Sequence, residues 1–166
     1  MIKLLSKLRD LLFEPRIALI IFVFFMIGYL IILDYEGTFQ EKFLHFGPSE
    51  DTKFLNMKID TWEKVIVMYI LAFATSLLTS YYSTVMYDFI HSKIYNPAFT
   101  KKIDIPKNWV KAIVILDPIL YWILEIIQFF ISLTLQLQFL VPQLIGTAII
   151  DVAYGLFKVS KNKFIN

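Results

Sequence analysis

Three stretches of this chain carry no charged side chain: Ile17–Leu33 (17 residues), Val65–Tyr87 (23 residues) and Ile126–Ile150 (25 residues). About 20 helical residues, rising 1.5 Å each, cross the hydrocarbon core of a bilayer. Lipid offers no hydrogen bonds, so only helices or closed barrels satisfy their own backbone there. The runs have helical length, and they predict transmembrane helices. Composition agrees: 58% of residues are hydrophobic and mean hydropathy is +0.65, above what a water-soluble core of this size requires.

The charge between these runs is sorted by sign. Leu4, Leu5, Leu8, Leu11 and Leu12 recur at helical spacing among Lys3, Lys7 and Arg9, which predicts an amphipathic helix over 1–14 lying in the headgroup plane. The alternative is an extension of the first span past Pro15, which as a proline favours a break. No small-x-small cleavage pattern follows the apolar run that begins after Arg16, so 17–33 reads as a retained anchor. Asp34 to Lys64 holds seven acids against four lysines; the loop 34–60 is acidic, with Gly47-Pro48-Ser49 as a turn signal and Asp60 with Glu63 as a capping box for a second span at 61–87. The next connection, 88–108, is basic: Lys93, Lys101, Lys102, Lys107 and Lys111 stand in or beside it, suited to anionic lipid headgroups.

Orientation follows from the lysines and arginines. Placing the N-terminus, the 88–108 connection and the 158–166 tail together gathers 12 of the 16 basic residues on one side, which the positive-inside rule makes cytoplasmic, or virion-interior. That arrangement requires an even number of crossings after Lys111. The expected fold is therefore all-α: a polytopic transmembrane bundle of four spans, the last two at 109–133 and 139–157, with three spans as the alternative. Ser-Leu-Thr-Leu-Gln-Leu-Gln at 132–138 alternates with the period of an extended strand, which fits the turn of the last hairpin. One long helix kinked at Pro118 and Pro142 is the competing reading.

Two polar patterns sit inside the apolar runs. Ala72, Ser76, Ser80 and Thr84 form a ladder of small residues at four-residue spacing, a face on which helix backbones approach closely. Asp117, Tyr121, Glu125, Gln128, Ser132 and Gln136 fall on about a third of one helix circumference, and Asp151 adds a third acid at membrane depth. Such a stripe faces the bundle, a water-filled path or a partner, because a charge facing lipid costs about 2.5–3.5 kcal/mol. Packing or partner contact is the favoured reading. A proton or cation path through Glu125 and Asp117 is the second.

Nothing in the sequence predicts catalysis or a cofactor. Cysteine is absent, and His45 and His91 fall on opposite sides of the predicted membrane, which argues against a shared metal site. No His-Glu-x-x-His, nucleophile-elbow, phosphate-loop or dinucleotide pattern occurs. Five lysines without arginine in the basic connection favour lipid headgroups over nucleic acid.

His45-Phe46-Gly47-Pro48-Ser49 and Ile59-Asp60-Thr61-Trp62, followed by a span leading to Tyr87-Asp88-Phe89-Ile90, resemble small multispanning membrane proteins encoded by large DNA viruses of algae and protists. The resemblance covers the middle third of the chain. It implies residence in the membrane beneath an icosahedral capsid, as a structural or assembly component, and carries over no catalytic residue. The expected function is thus noncatalytic, acting through copies of itself or other membrane and capsid subunits.

Overall fold

The computed structural model describes residues 1–12, 15–35, 39–94 and 106–165. It is mostly helical. Helix α1 covers Ile2–Leu12 and α2 Pro15–Tyr35, with Pro15 at the first helical position, where its missing N–H costs no hydrogen bond. Helix α3 runs from Trp62 to Ile94 with π-type turns at Tyr82–Met86 and Ile90–Ile94. Helices α4 (Lys107–Ser132) and α5 (Leu137–Ile165) complete the set. Helical structure therefore extends past the expected end of the second span, through the first residues of the basic connection, and past the expected end of the last span into the basic tail.

The acidic loop is not wholly irregular. Strands β1 (Ser49–Phe54) and β2 (Met57–Ile59) pair as an antiparallel hairpin, a departure from the all-α expectation. Its turn residues Leu55 and Asn56 both have positive φ, 47° and 67°, matching the twist of a tight hairpin. Asn56 adopts this conformation readily, whereas Leu55 does so at a cost.

The expected capping box fails for an identifiable reason. The N-cap of α3 is Thr61, which makes no side-chain cap bond, so Asp60 and Glu63 stand one residue out of register for a capping box. Asp60 instead accepts a hydrogen bond from Lys64 Nζ at 2.5 Å. Helix α4 continues unbroken through Pro118. As the alternation at 132–138 predicts, α4 and α5 are separate helices joined at Leu133–Gln136, where Leu135 takes φ +57°, and the single kinked helix is not formed; Pro142 lies inside α5.

The buried apolar core is small and sits toward one end. Ile59, Val65, Met68, Ala72, Ile131 and Phe139 meet there, with Tyr69 and Ile127 packed against them. A buried amide network pins the hairpin to the α4–α5 turn beside it. The Gln138 side chain accepts from Gly47 N (2.8 Å) and Tyr69 OH (2.8 Å) and donates to Gly47 O (3.1 Å), while Gln136 Nε2 donates to Thr52 Oγ1 (2.5 Å). Gly47 fits because its φ is +106° and a Cβ would lie 3.3 Å from the Trp62 ring.

Helix α2 stands largely apart. It packs on α1, and Tyr29 reaches the Leu135 carbonyl at 3.4 Å and the Phe43 ring. Most of its other described apolar side chains are exposed, Phe24 being 75% exposed. Among the described residues, two helices are long and apolar enough to cross a membrane: Trp62–Ile94, with 39% of its most apolar window buried, and Leu137–Ser160, with only 11%. A core helix of a water-soluble protein would be mostly covered. Leu19–Ile32 is a shorter apolar helix of the same character.

Candidate functional site

The small-residue ladder packs against α5. Ala72, Ser76 and Ser80 are buried, Thr84 is half-buried, and the closest approach is at Gly146, whose missing Cβ would lie 2.2 Å from Ser76 Oγ and 2.7 Å from Phe73 O. Most hydroxyls of this face bond back to their own helix: Thr75 to Leu71 O, Ser76 to Phe73 O, Thr79 to Thr75 O and Thr84 to Ser80 O. Ser80 is the exception among them, since its Oγ donates across the contact to Asp151 Oδ1 at 2.6 Å. A hydroxyl that satisfies its own helix leaves the backbone free to approach, and the van der Waals contact does the packing.

The polar stripe of α4 divides into three environments. Asp117 is paired with Arg9 of α1, both side chains being almost wholly buried, and the Arg9 guanidinium lies 5.0 Å over the Tyr87 ring. Trp122 Nε1 donates to Leu5 O at 3.2 Å and holds the same helix in place. Arg9 is the functional partner that sequence spacing misses, because 108 residues separate it from Asp117. At the other end, Ser132 bonds Gln128 O (2.9 Å) and Gln143 Oε1 (3.3 Å) at the α4–α5 turn. Gln136 leaves the stripe altogether: α4 has ended four residues earlier, and its amide is spent on Thr52.

Tyr121, Glu125 and Gln128, from the middle of the stripe, line a cleft of about 430 Å³. Its back is Thr79, Ser80, Ser83 and Thr84 of α3, and its far wall is Thr147, Asp151, Tyr154 and Gly155 of α5. The ladder and the stripe, two separate patterns in the sequence, thus meet in one polar space between α3, α4 and α5. Helix geometry sets Glu125 and Asp151 at one depth. Arg9 contacts both Asp117 and the Tyr87 ring, and Asp88, next to Tyr87 in the chain, accepts from Lys158 Nζ at 2.5 Å, so Asp117 and Lys158 lie near one level. Eight residues up α4 is about 12 Å and seven residues up α5 is about 10 Å.

That level is one end of the molecule. Arg9, Tyr87, Asp88, Asp117 and Lys158 gather there, and Tyr154 OH donates to Asp88 while Lys158 Nζ sits 4.9 Å over the Tyr154 ring. The hairpin and the α4–α5 turn form the opposite end. Lys107 and Lys111 are exposed on the first turns of α4 and Lys93 on the last turn of α3; Lys101 and Lys102 lie outside the described residues. His45 Nε2 meets Pro48 O (3.1 Å) at the hairpin end, whereas His91 stacks on Tyr87 at 4.1 Å at the other. Among the described residues no three His, Asp or Glu side chains come together in a group that could hold a metal ion.

No protein-family profile, curated protein or solved structure matches this chain.

Proposed function

We propose that this chain is a noncatalytic integral membrane protein that crosses the bilayer four times, with α2, α3, α4 and α5 as its spans, and works by association as a structural or assembly component of a membrane complex. The observation that carries this reading is α2, a 21-residue helix apolar on every side that its own chain leaves largely uncovered. Lipid and neighbouring subunits are its natural surroundings, copies of itself or other membrane and capsid subunits among them. The basic end, with Lys107, Lys111, Lys158 and α1, faces the cytoplasm or a virion interior and meets anionic headgroups. The sequence resemblance described above supports the inner membrane of a large DNA virus as the location.

Two measurements test it. Because the chain has no cysteine, single cysteines at Asn56, Leu133 and Ser160 report sidedness with an impermeant thiol reagent on intact vesicles. Four spans require the first two to label together and the third from the opposite face. Association requires crosslinks between copies or to partners in the native membrane. A monodisperse monomer in mild detergent with no crosslinks in its membrane overturns the assembly role.

A second reading has its own observation. Glu125 and Asp151 share one cleft, which favours a proton or cation path through them; Asp117, already paired with Arg9, is a less apt member than the sequence suggests. Flux through reconstituted liposomes that is lost in Glu125→Gln supports this reading. Absent or unchanged flux refutes it.

A further inference from the structure

Among the described residues, the cleft between α4 and α5 holds two carboxylates and no cation. Its described lining includes Glu125 and Asp151 on opposing helices, the tyrosines Tyr121 and Tyr154, and the hydroxyls of Ser83, Thr84 and Thr147, but no Lys, Arg or His. The cations packed beside it are committed elsewhere, Arg9 to Asp117 and Lys158 to Asp88. Gln128, also in the lining, has a shielded side-chain nitrogen without a hydrogen-bond partner among the described residues. Glu125, hydrogen-bonded to Tyr121, and Asp151, hydrogen-bonded to Ser80, thus line one cleft with only hydroxyl partners, and a carboxylate at membrane depth calls for a proton or a positive group.

The size and chemistry of the space select the kind of cation. A hard metal ion takes six or more oxygens in a tight shell, whereas no three His, Asp or Glu side chains gather among the described residues and this space of about 430 Å³ falls in the range of organic-ligand pockets. An ammonium fits better. It donates charge-assisted hydrogen bonds to carboxylates and is attracted to tyrosine faces. The cleft is open on its α5 side: Asp151, Thr147 and Gly155 are exposed, and a Cβ on Gly155 would meet nothing within 4 Å. Flanking this opening, Val152 and Leu156 present an exposed apolar strip along α5.

We infer that this cleft is a binding site for a long-chain amine, its ammonium held by the Glu125 and Asp151 carboxylates and its alkyl chain lying along the outer surface of α5. The inference rests on the membrane reading, since the opening faces the bilayer only if α5 spans it. An amphiphile partitioned in the membrane reaches the site sideways, without crossing the core of the bundle. Ser80 holds Asp151 in position at 2.6 Å, so the site is set on packed helices rather than on loops.

The test uses the full chain in nanodiscs of zwitterionic lipid, with dodecylamine as the probe and native mass spectrometry as the readout. One dodecylamine per chain is expected, not displaced by dodecanol, which has the same chain without the charge. Glu125→Gln weakens binding roughly tenfold or more, the scale of a lost hydrogen bond to a charged group, and Asp60→Asn leaves it unchanged. Should Glu125→Gln fail to fold, Gly155→Leu serves instead, because it adds bulk at the open side where the fold has room. Butylamine binding tenfold or more weaker is expected, because its chain is too short to lie along α5; equal binding overturns the inference of a long-chain ligand. Displacement by dodecanol, or native-like binding by both variants, overturns the inference. So does efficient crosslinking of two copies through Gly155→Cys, which would make the opening a contact between chains. A chain that keeps its four-span labelling pattern yet binds no amine loses this inference alone; one with a different pattern loses the membrane reading first.

Discussion

Gly146→Ala is the sharpest test of how α3 and α5 meet. In most of a helix this change is favourable, because alanine exceeds glycine in helix propensity by about 0.8–1.0 kcal/mol. At Gly28 and Gly155 a new Cβ meets nothing within 4 Å, so both substitutions should show that gain or a fraction of it. At Gly146 the same methyl lies 2.2 Å from Ser76 Oγ, 2.7 Å from Phe73 O and 3.0 Å from Leu77 N. The Ser76 hydroxyl can rotate away, but the two backbone atoms can retreat only if the helices separate by several tenths of an ångström. Overpacking of this kind costs about 1–3 kcal/mol, and separation also stretches the Ser80–Asp151 bond. The net expectation is a loss of about 0–2 kcal/mol for Gly146→Ala against a gain at Gly155, so the difference between the two variants, about 1–3 kcal/mol, isolates the contact. Equilibrium unfolding in mixed detergent micelles measures it. Adding Ser76→Gly should recover only part of the loss, since the Phe73 carbonyl remains in place. Equal effects at Gly146, Gly155 and Gly28 would refute the close approach of these helices.

Removing one partner of the buried Arg9–Asp117 pair, as in Arg9→Met, should cost about 3–5 kcal/mol by leaving an uncompensated charge, while Arg9→Met with Asp117→Leu should recover most of it; a double variant no better than the single ones contradicts the pairing. Gln138→Leu strips partners from Gly47 N–H, Gly47 C=O and Tyr69 OH at about 1–3 kcal/mol for each group left unsatisfied, and hydrogen exchange at the Ser49–Ile59 amides should speed up by at least tenfold. At the head of α3, the Lys64 ammonium hydrogen-bonded to Asp60 holds that carboxyl below the usual carboxylate range. A folded pKa below the unfolded one stabilises above the unfolded value and is lost as pH falls through the folded value. The stability difference between the native chain and Asp60→Asn should therefore be present at neutral pH, vanish on acidification and shrink in high salt, because this pair is exposed.

How much of this was legible depended on whether the physics was local. The uncharged runs and the α3 ladder are periodic signals, and the structure places Ala72, Ser76 and Ser80 together on one packed face. The strand-period alternation at 132–138 did mark the α4–α5 turn. Yet helical periodicity alone carried the polar stripe on to Gln136, because nothing in a helical wheel reveals that Leu135 adopts a left-handed conformation. The hairpin was hidden for a similar reason: its turn is Leu55-Asn56, without the glycine that usually marks such turns. Arg9 with Asp117, Ser80 with Asp151 and Gln138 with Gly47 are long-range pairs. Single-sequence spacing contains no information about them, and only the fold brings them together.

Helix α1 illustrates how the surroundings decide what an amphipathic pattern means. In water its leucines would turn inward and its arginine outward. The chain does the reverse: Leu4, Leu8 and Leu11 are exposed, while Arg9 is 2% exposed and paired with Asp117. On α2, Leu19, Ile20, Phe22, Phe24, Phe25 and Ile31 are each at least 60% exposed. Burying a side chain of this kind is worth about 1.5–3 kcal/mol in water, so six at that exposure forgo roughly 6–10 kcal/mol. That is about the whole stability of an ordinary domain, about 5–15 kcal/mol. In hydrocarbon the same exposure costs next to nothing, and the expensive act becomes leaving a charge uncovered, which the buried Arg9–Asp117 pair prevents. On the membrane reading proposed above, the inverted α1 and the uncovered α2 answer a single constraint, an apolar medium around the helices.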